Sequence, residues 1–337
     1  MGQAPGTLAA EATPAPGLLL PARLSYAQPV GPWGRAASSA GVVATLARAR
    51  GVLLLVILRP RGGSLDLAVA SLAAADEEQP PEAELPQVYL EQGLALVPLG
   101  RRLVGVDTAA PGPEEGLAPV TLAELDLEEQ FIGGVLSVAG RHVALARDAR
   151  HEALLVEAQF TDPRDKGVMP CLEGSWTLVS QPVPPGGAAW GALQGMLAVG
   201  RSVAVLWERG AALGTPEVRG GWSWQHVALD RARFDSIGWQ HDRGRPVPVS
   251  DHSALLPVRR AGTGRLEWAW LDTHGVPQLV PAGWALDEHL PSRADGSLLV
   301  FRREPAGWRP LPYEGGTLIE AGRDLVEDAG ADTQPCG

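Results

Sequence analysis

The chain of 337 residues contains no asparagine and a single lysine, Lys166, although lysine and arginine together number 28. Without asparagine there is no N-glycosylation sequon and no Asn-Gly hairpin turn, so tight turns must use glycine or aspartate. A GC-rich genome accounts for the shortage of lysine and asparagine together, because such bias is usually compositional. The preference for arginine therefore does not by itself indicate a function.

Cysteine is also scarce, with only Cys171 and Cys336. A disulfide between them would require the C-terminal tail to fold back, so we expect two free thiols and a reducing compartment. The longest aliphatic run, Val52–Leu58, is far shorter than the roughly 20 residues of a membrane helix. The N-terminal residues lack the basic and apolar regions of a signal peptide. We therefore expect a cytoplasmic protein without a membrane segment.

Acidic residues outnumber basic ones by 39 to 28, and the net charge is −11. Nucleic acids and anionic membranes select for basic surfaces. We therefore expect neither nucleic acid nor a membrane as a partner. Hydrophobic residues make up 45% of the chain, which is enough to bury a sizeable core.

Short apolar runs between glycine- and proline-bearing turns dominate the chain, and long amphipathic helical patterns are scarce. This pattern predicts an all-β fold. One phrase recurs, in which glycine and usually arginine precede buried-type apolar residues; its copies begin at Gly51, Gly100, Gly140, Gly200, Gly264 and Gly296. Successive glycines are 49, 40, 60, 64 and 32 residues apart. Strand repeats of about 40–50 residues are typical of propeller blades.

Through this rhythm the chain resembles the β-propeller class over roughly residues 40–315. The resemblance implies a single propeller of about five to seven blades. Residues 1–16 are expected to form a disordered leader, residues 17–320 the propeller and residues 321–337 a polar tail. The alternative is a pair of β-sandwich domains split near residue 185, because Pro182–Gly187 is the strongest break in the middle of the chain.

Three neighbourhoods that combine histidine and aspartate fall within residues 241–274. If they converge, they supply acid and base groups for a hydrolase or lyase acting on a sugar or lactone; these catalytic candidates are Asp242, Asp251 and Asp272. The candidates for binding a metal such as Zn²⁺ are His241, His252 and His274. However, the spacing matches no known ligand motif, and such residues often cap turns. We therefore expect no catalytic residue, no metal and no cofactor.

Ten of the eleven tryptophans lie from Trp176 onward. Trp222 and Trp224 are two residues apart, as are Trp268 and Trp270, which is the spacing of residues on one face of a strand. The simpler interpretation is core packing, and the functional one is an aromatic surface for a protein or carbohydrate, because tryptophan and arginine are enriched in interface hot spots. The candidate binding residues are Trp222, Trp224, Arg259, Arg260, Arg265, Trp268 and Trp270.

The sequence contains no P-loop, no dinucleotide fingerprint and no Gly-x-Ser-x-Gly elbow. A non-catalytic protein-interaction scaffold is therefore the favoured interpretation. In size, class and arginine- and tryptophan-rich style, the chain resembles the bacterial β-propeller component associated with MoxR-type ATPases and von Willebrand A-domain proteins. That resemblance implies a subunit of a bacterial cytoplasmic complex, with an ATPase or a von Willebrand A-domain protein as partner. The alternatives are the propeller hydrolase or lyase and a carbohydrate-binding propeller.

Overall fold

The described residues form β-strands and contain no α-helix, which confirms the all-β prediction. The computed structural model describes residues 37–39, 41–49, 52–61, 64–74, 85, 88–91, 93–109, 117–161, 172, 174–184, 190–238, 246–294, 297–305 and 307–310. Within these residues there is no helix with the length and apolar character that a membrane crossing requires. The predicted leader and tail lie outside the described residues.

The chain divides into two compact units, and each sheet is built from strands that follow one another in sequence. The first unit comprises residues 1–127 and 160–177. Its sheet 1 consists of β1 (Ala37–Ser39), β2 (Val42–Ala49), β3 (Val52–Arg61) and β4 (Ser64–Ala74). Its sheet 2 consists of β5 (Tyr89–Glu91), β6 (Leu94–Leu99), β7 (Arg102–Asp107) and β8 (Val120–Glu124).

The second unit comprises residues 128–159 and 178–337. It holds most of sheet 3, with β9 (Gln130–Val138), β10 (Arg141–Arg147), β11 (Ala153–Thr161) and β12 (Ser175–Pro182). Sheet 4 consists of β13 (Leu193–Val199), β14 (Ser202–Trp207), β15 (Gly210–Pro216) and β16 (Trp222–Ala228). Sheet 5 consists of β17 (Phe234–Ile237), β18 (Val247–Ser250), β19 (Ser253–Arg260), β20 (Leu266–Asp272) and β21 (Gln278–Ala285). Sheet 6 has three described strands, β22 (His289–Ala294), β23 (Ser297–Glu304) and β24 (Gly307–Pro310).

Sheet 5 has an interrupted first strand. Both β17 and β18 pair antiparallel with β19: β18 pairs with its first half and β17 with its second half. Together they occupy the position that β13 holds alone in sheet 4. The connection between them includes residues 239–245, which lie outside the described residues and contain His241 and Asp242.

The middle strands are buried on both faces. All six residues of β6 are buried, as are five of the six in β14 and six of the eight in β19. The reason is that consecutive sheets within a unit share their cores: sheet 1 with sheet 2, sheet 3 with sheet 4, sheet 4 with sheet 5, and sheet 5 with sheet 6. Strands covered on both faces need nearly continuous apolar runs, which explains why the sequence of these strands does not alternate.

The chain near residue 185 connects two sheets that share one core. The core between sheets 3 and 4 contains residues from both sides of this point, including Val183 and Trp190. Both sheets belong mainly to the second unit, although one boundary between the units lies between residues 177 and 178. The two-sandwich alternative predicts separate cores on the two sides of residue 185, whereas sheets 3 and 4 share one.

The recurrent glycine phrase marks hairpin turns at two different places in the sheets. Gly140 and Gly200 lie between the first and second strands of their sheets, whereas Gly100 and Gly264 lie between the second and third positions. All four have positive φ, from 56° to 78°, which glycine adopts at little cost. Gly51 and Gly296 lie outside the described residues. The copies of the phrase are unevenly spaced along the sequence because each copy marks a tight turn before a buried strand. The phrase does not mark the start of a sheet.

A buried ion pair in sheet 1 includes an arginine that also bonds to sheet 2. Arg59 on β3 and Asp66 on β4 are cross-strand partners, with Nε and Oδ2 3.2 Å apart, and both residues are buried. The Arg59 guanidinium also donates a hydrogen bond to the carbonyl oxygen of Thr108, which follows β7 in sheet 2. Removing one member of such a pair leaves an uncompensated buried charge.

We expect Arg59→Met to lower the free energy of unfolding by about 3–5 kcal/mol. The double variant Arg59→Met/Asp66→Leu is expected to recover much of this loss, because it leaves neither charge unpaired. Chemical denaturation followed by far-UV circular dichroism measures both. A single variant as stable as the double variant would contradict the assigned role of the pair.

Tryptophan rings and a histidine fill the core between sheets 5 and 6. The Trp268 indole donates its Nε1 hydrogen to the carbonyl oxygen of His289 at 3.0 Å. The imidazole of His289 stacks on Trp284, with ring centroids 6.3 Å apart. Burial lowers the pKa of His289 below the ordinary value of 6.5, although a hydrogen bond to the carbonyl of Ala285 opposes this shift.

The lowered pKa of His289 predicts that stability falls as pH drops below about 6.5, because the unfolded chain then binds a proton more readily than the folded chain. Above that pH the contribution is fully present. The variant His289→Gln should show a smaller drop in melting temperature between neutral and mildly acidic pH than the wild type. The control is His151→Gln, which removes an exposed imidazole that lies outside the core between sheets 5 and 6. An unchanged slope in His289→Gln would refute the assignment.

Candidate functional site

Arg141 connects the first turn of sheet 3 to the last hairpin of sheet 4. Its guanidinium forms an ion pair with Glu157, with Nη1 and Oε2 3.1 Å apart, and Nη2 donates a hydrogen bond to the carbonyl oxygen of Glu217 at 2.7 Å. The guanidinium carbon also lies 5.6 Å from the centre of the Trp222 ring, a distance at which cation–π attraction acts. The hairpin of residues 217–221 is therefore held by a neighbouring sheet as well as by its own strands.

The first turns of sheets 4 and 5 also touch. A Cβ atom built on Gly200 would lie 1.9 Å from the backbone oxygen of Asp251, so only glycine permits this approach. These contacts place several turns of sheets 3 to 5 at one end of the sheets. We call this end the hairpin face, and it comprises residues 139–140, 200–201, 217–221, 251–252 and 273–277.

The hairpin face brings His252 and His274 together. Their ring centroids are 5.5 Å apart in an edge-to-face arrangement. The carbonyl oxygen of His252 accepts hydrogen bonds from the backbone N–H and the hydroxyl of Thr273, at 2.7 and 3.0 Å. The two loops are thus locked to each other. The third metal candidate, His241, lies outside the described residues.

The candidate catalytic carboxylates serve turns or remain exposed. Oδ1 of Asp272 accepts the backbone N–H of His274 at 2.8 Å, which is the turn-capping role typical of aspartate. Asp251 is exposed on the neighbouring turn, and Asp242 lies outside the described residues. In the part of the chain that the structure describes, no three His, Cys, Asp or Glu side chains form a group suited to hold a metal ion.

Most of the candidate tryptophans lie in the cores between sheets. Trp222, Trp268 and Trp270 are buried, and Trp224 is half-buried beside Trp222, with ring centroids 6.4 Å apart. Three of the four rings therefore present no aromatic surface. Their positions agree with the simpler sequence interpretation, which assigned them to packing.

The three candidate arginines lie around the second hairpin of sheet 5, at the opposite end of β19 from the hairpin face. Arg259 donates a hydrogen bond to the carbonyl of Gly264 at 2.9 Å. Arg260 pairs with buried Glu267 at 3.3 Å, and Arg265 pairs with Glu288 at 2.9 Å. These arginines stabilise turns and connections, and they do not form a rim around exposed tryptophans.

Two exposed valines on the hairpin face were missed by sequence reasoning. Val218 and Val276 have relative exposures of 104% and 85%. Each lies on the hairpin that joins the third and fourth strand positions of its sheet, in sheet 4 and sheet 5 respectively. The available signal was an isolated valine among turn residues, in Glu217-Val218-Arg219-Gly220-Gly221 and in Gly275-Val276-Pro277.

Comparison with known proteins does not identify a family. No protein-family model matches the chain, and no curated protein matches it at a significant level of sequence similarity.

We predict that Arg141→Met loosens the hairpin of residues 217–221. The loss of charge-assisted hydrogen bonds is expected to cost about 1–2 kcal/mol and to accelerate tryptic cleavage after Arg219 severalfold. Mass spectrometry of the fragments during limited proteolysis measures the rate. Arg201→Met, which removes an exposed arginine from the same face, should leave that rate unchanged. If both variants are cleaved at the wild-type rate, Arg141 does not restrain the hairpin.

Proposed function

We propose that the six consecutive sheets form a single β-propeller of six blades. Three features support a propeller. Every sheet is a series of sequence-adjacent antiparallel strands, and successive sheets within each unit pack face to face. In the second unit the first strands of successive sheets also lie side by side, in the order β9, β13, β18 and β22. Stacking blades around an axis covers both faces of each blade, which no isolated sheet achieves. An experimental structure with the sheets not arranged around one axis would contradict this proposal.

On this architecture, we propose that the protein is a non-catalytic scaffold that binds a protein partner through the hairpin face. The observation that carries the proposal is the exposure of Val218 and Val276 on neighbouring sheets that share one core. Isolated apolar side chains on a surface are ordinary. Here, however, two of them project at the same end of adjacent sheets, on loops tied to their surroundings through Arg141 and Thr273.

A restrained loop favours binding, because less conformational entropy is lost when a partner docks. Apolar side chains at hairpin tips suit small hydrophobic pockets on another protein. In contrast, a sugar-binding surface needs exposed aromatic rings, and the candidate rings Trp222, Trp268 and Trp270 are buried. The geometry therefore favours a protein partner over a carbohydrate.

The proposed partner is another subunit of a bacterial cytoplasmic complex. The class to test first is the one that the sequence resemblance implies, an ATPase or a von Willebrand A-domain protein. The full chain, immobilised and exposed to lysate of the native host, should retain a stable partner that mass spectrometry identifies.

We expect Val218→Asp and Val276→Asp each to weaken partner binding by about tenfold or more, because a charge would have to be desolvated in the interface. The matched control is Leu127→Asp: Leu127 is similarly exposed, at 84%, but lies outside the hairpin face. Binding of the identified partner is measured by biolayer interferometry. Recovery of no stable partner counts against a scaffold, and equal binding by all three variants rules out the hairpin face.

A further inference from the structure

The two imidazoles on the hairpin face lie close enough together to bind one metal ion. Zinc binds an imidazole nitrogen at about 2.0–2.1 Å, and each ring nitrogen lies roughly 1.1 Å from the ring centre. The ion is then about 3.2 Å from each centre, and at a tetrahedral angle two such centres lie about 5.2 Å apart. The centroids of His252 and His274 are 5.5 Å apart.

The backbone around the two rings is held in place from both sides. Thr273 fixes the loop that carries His274 to the carbonyl oxygen of His252. The turn before β19 is closed by a hydrogen bond from the His252 N–H to the hydroxyl of Ser250, which in turn bonds to Ser253 at 2.7 Å. The backbone is therefore already restrained, which favours binding, and rotation of the two exposed side chains turns their ring nitrogens toward a shared ion.

Both imidazoles are free to act as ligands. They are exposed, and among the described residues neither ring is engaged in a hydrogen bond; the ring contact between them is their shared interaction. Oδ1 of Asp272 accepts the backbone N–H of His274 and does not bond to either imidazole ring. The neutral imidazole nitrogen is a preferred ligand of zinc, copper and nickel, whereas magnesium and calcium prefer oxygen.

We propose that His252 and His274 form a two-histidine site for a borderline transition-metal ion such as Zn²⁺ or Ni²⁺. The protein supplies two ligands, and water fills the remaining positions. Because these positions are open, the bound ion can accept a further ligand from another molecule. His274 and Val276 lie two residues apart on the same turn, but the proposed metal site does not depend on the proposed partner.

Titration of the purified full-length protein with ZnCl₂ tests the proposal. The protein is first stripped with chelator, and both cysteines are replaced by serine (Cys171→Ser and Cys336→Ser), so that thiolates do not bind the metal. Isothermal titration calorimetry at neutral pH should show one equivalent of zinc bound. His252→Ala and His274→Ala should each weaken binding by about tenfold or more, and the double variant should abolish it.

The control is His142→Ala, which removes an imidazole close to the hairpin face and should leave zinc affinity unchanged. A second readout is the imidazole nitrogen resonances in a histidine-selective NMR spectrum, where zinc should shift those of His252 and His274 and not those of His142. Absence of zinc binding at millimolar metal, or binding that persists in the His252→Ala/His274→Ala variant, would overturn the site. In either case the partner-binding experiment on Val218 and Val276 still decides the scaffold proposal separately.

Discussion

The rest of the structure depends on covering both faces of the middle strands. Strands such as β6, β14 and β19 are buried nearly throughout, so each of their sheets needs an apolar neighbour on either side. Burial of apolar surface is the dominant favourable term in folding and is roughly proportional to area. A sheet with two apolar faces therefore has no stable existence in isolation, and consecutive sheets pack into successive cores.

This packing encloses polar groups, which then need hydrogen-bond partners inside the protein. Arg59 and Asp66 are both buried and both bonded, and the same guanidinium reaches Thr108 in the adjacent sheet. The indole of Trp268 finds the carbonyl of His289 in the same way. A buried polar group without a partner is costly, so these bonds restrict how neighbouring sheets align and add specificity to a contact that apolar burial alone would leave loosely defined.

The same packing separates structural from functional residues. Large aromatic rings contribute most when buried, and the cores between sheets take up Trp222, Trp268 and Trp270. What remains for recognition is the set of turns at the ends of the sheets, where side chains face solvent on a rigid support. On the hairpin face these side chains are two valines and two imidazoles, held by contacts from Arg141 and Thr273. Both the proposed partner surface and the proposed metal site use this one end of sheets 3 to 5.

Local patterns in the sequence were sufficient for the all-β class, the buried strands and the glycine turns, because residue periodicity and positive φ are local properties. They also placed His252 and His274 among three candidate ligands, together with His241, although the expectation was that no metal binds. The sequence by itself did not reveal which hairpin each glycine serves, since the same phrase suits any tight turn before a buried strand. Only the tertiary structure decided that Trp222, Trp268 and Trp270 are buried. It also decided that the two histidine rings meet and that Arg141 bonds to Glu217, 76 residues away. Such pairings follow from how whole sheets stack, and that stacking is not encoded in any one segment.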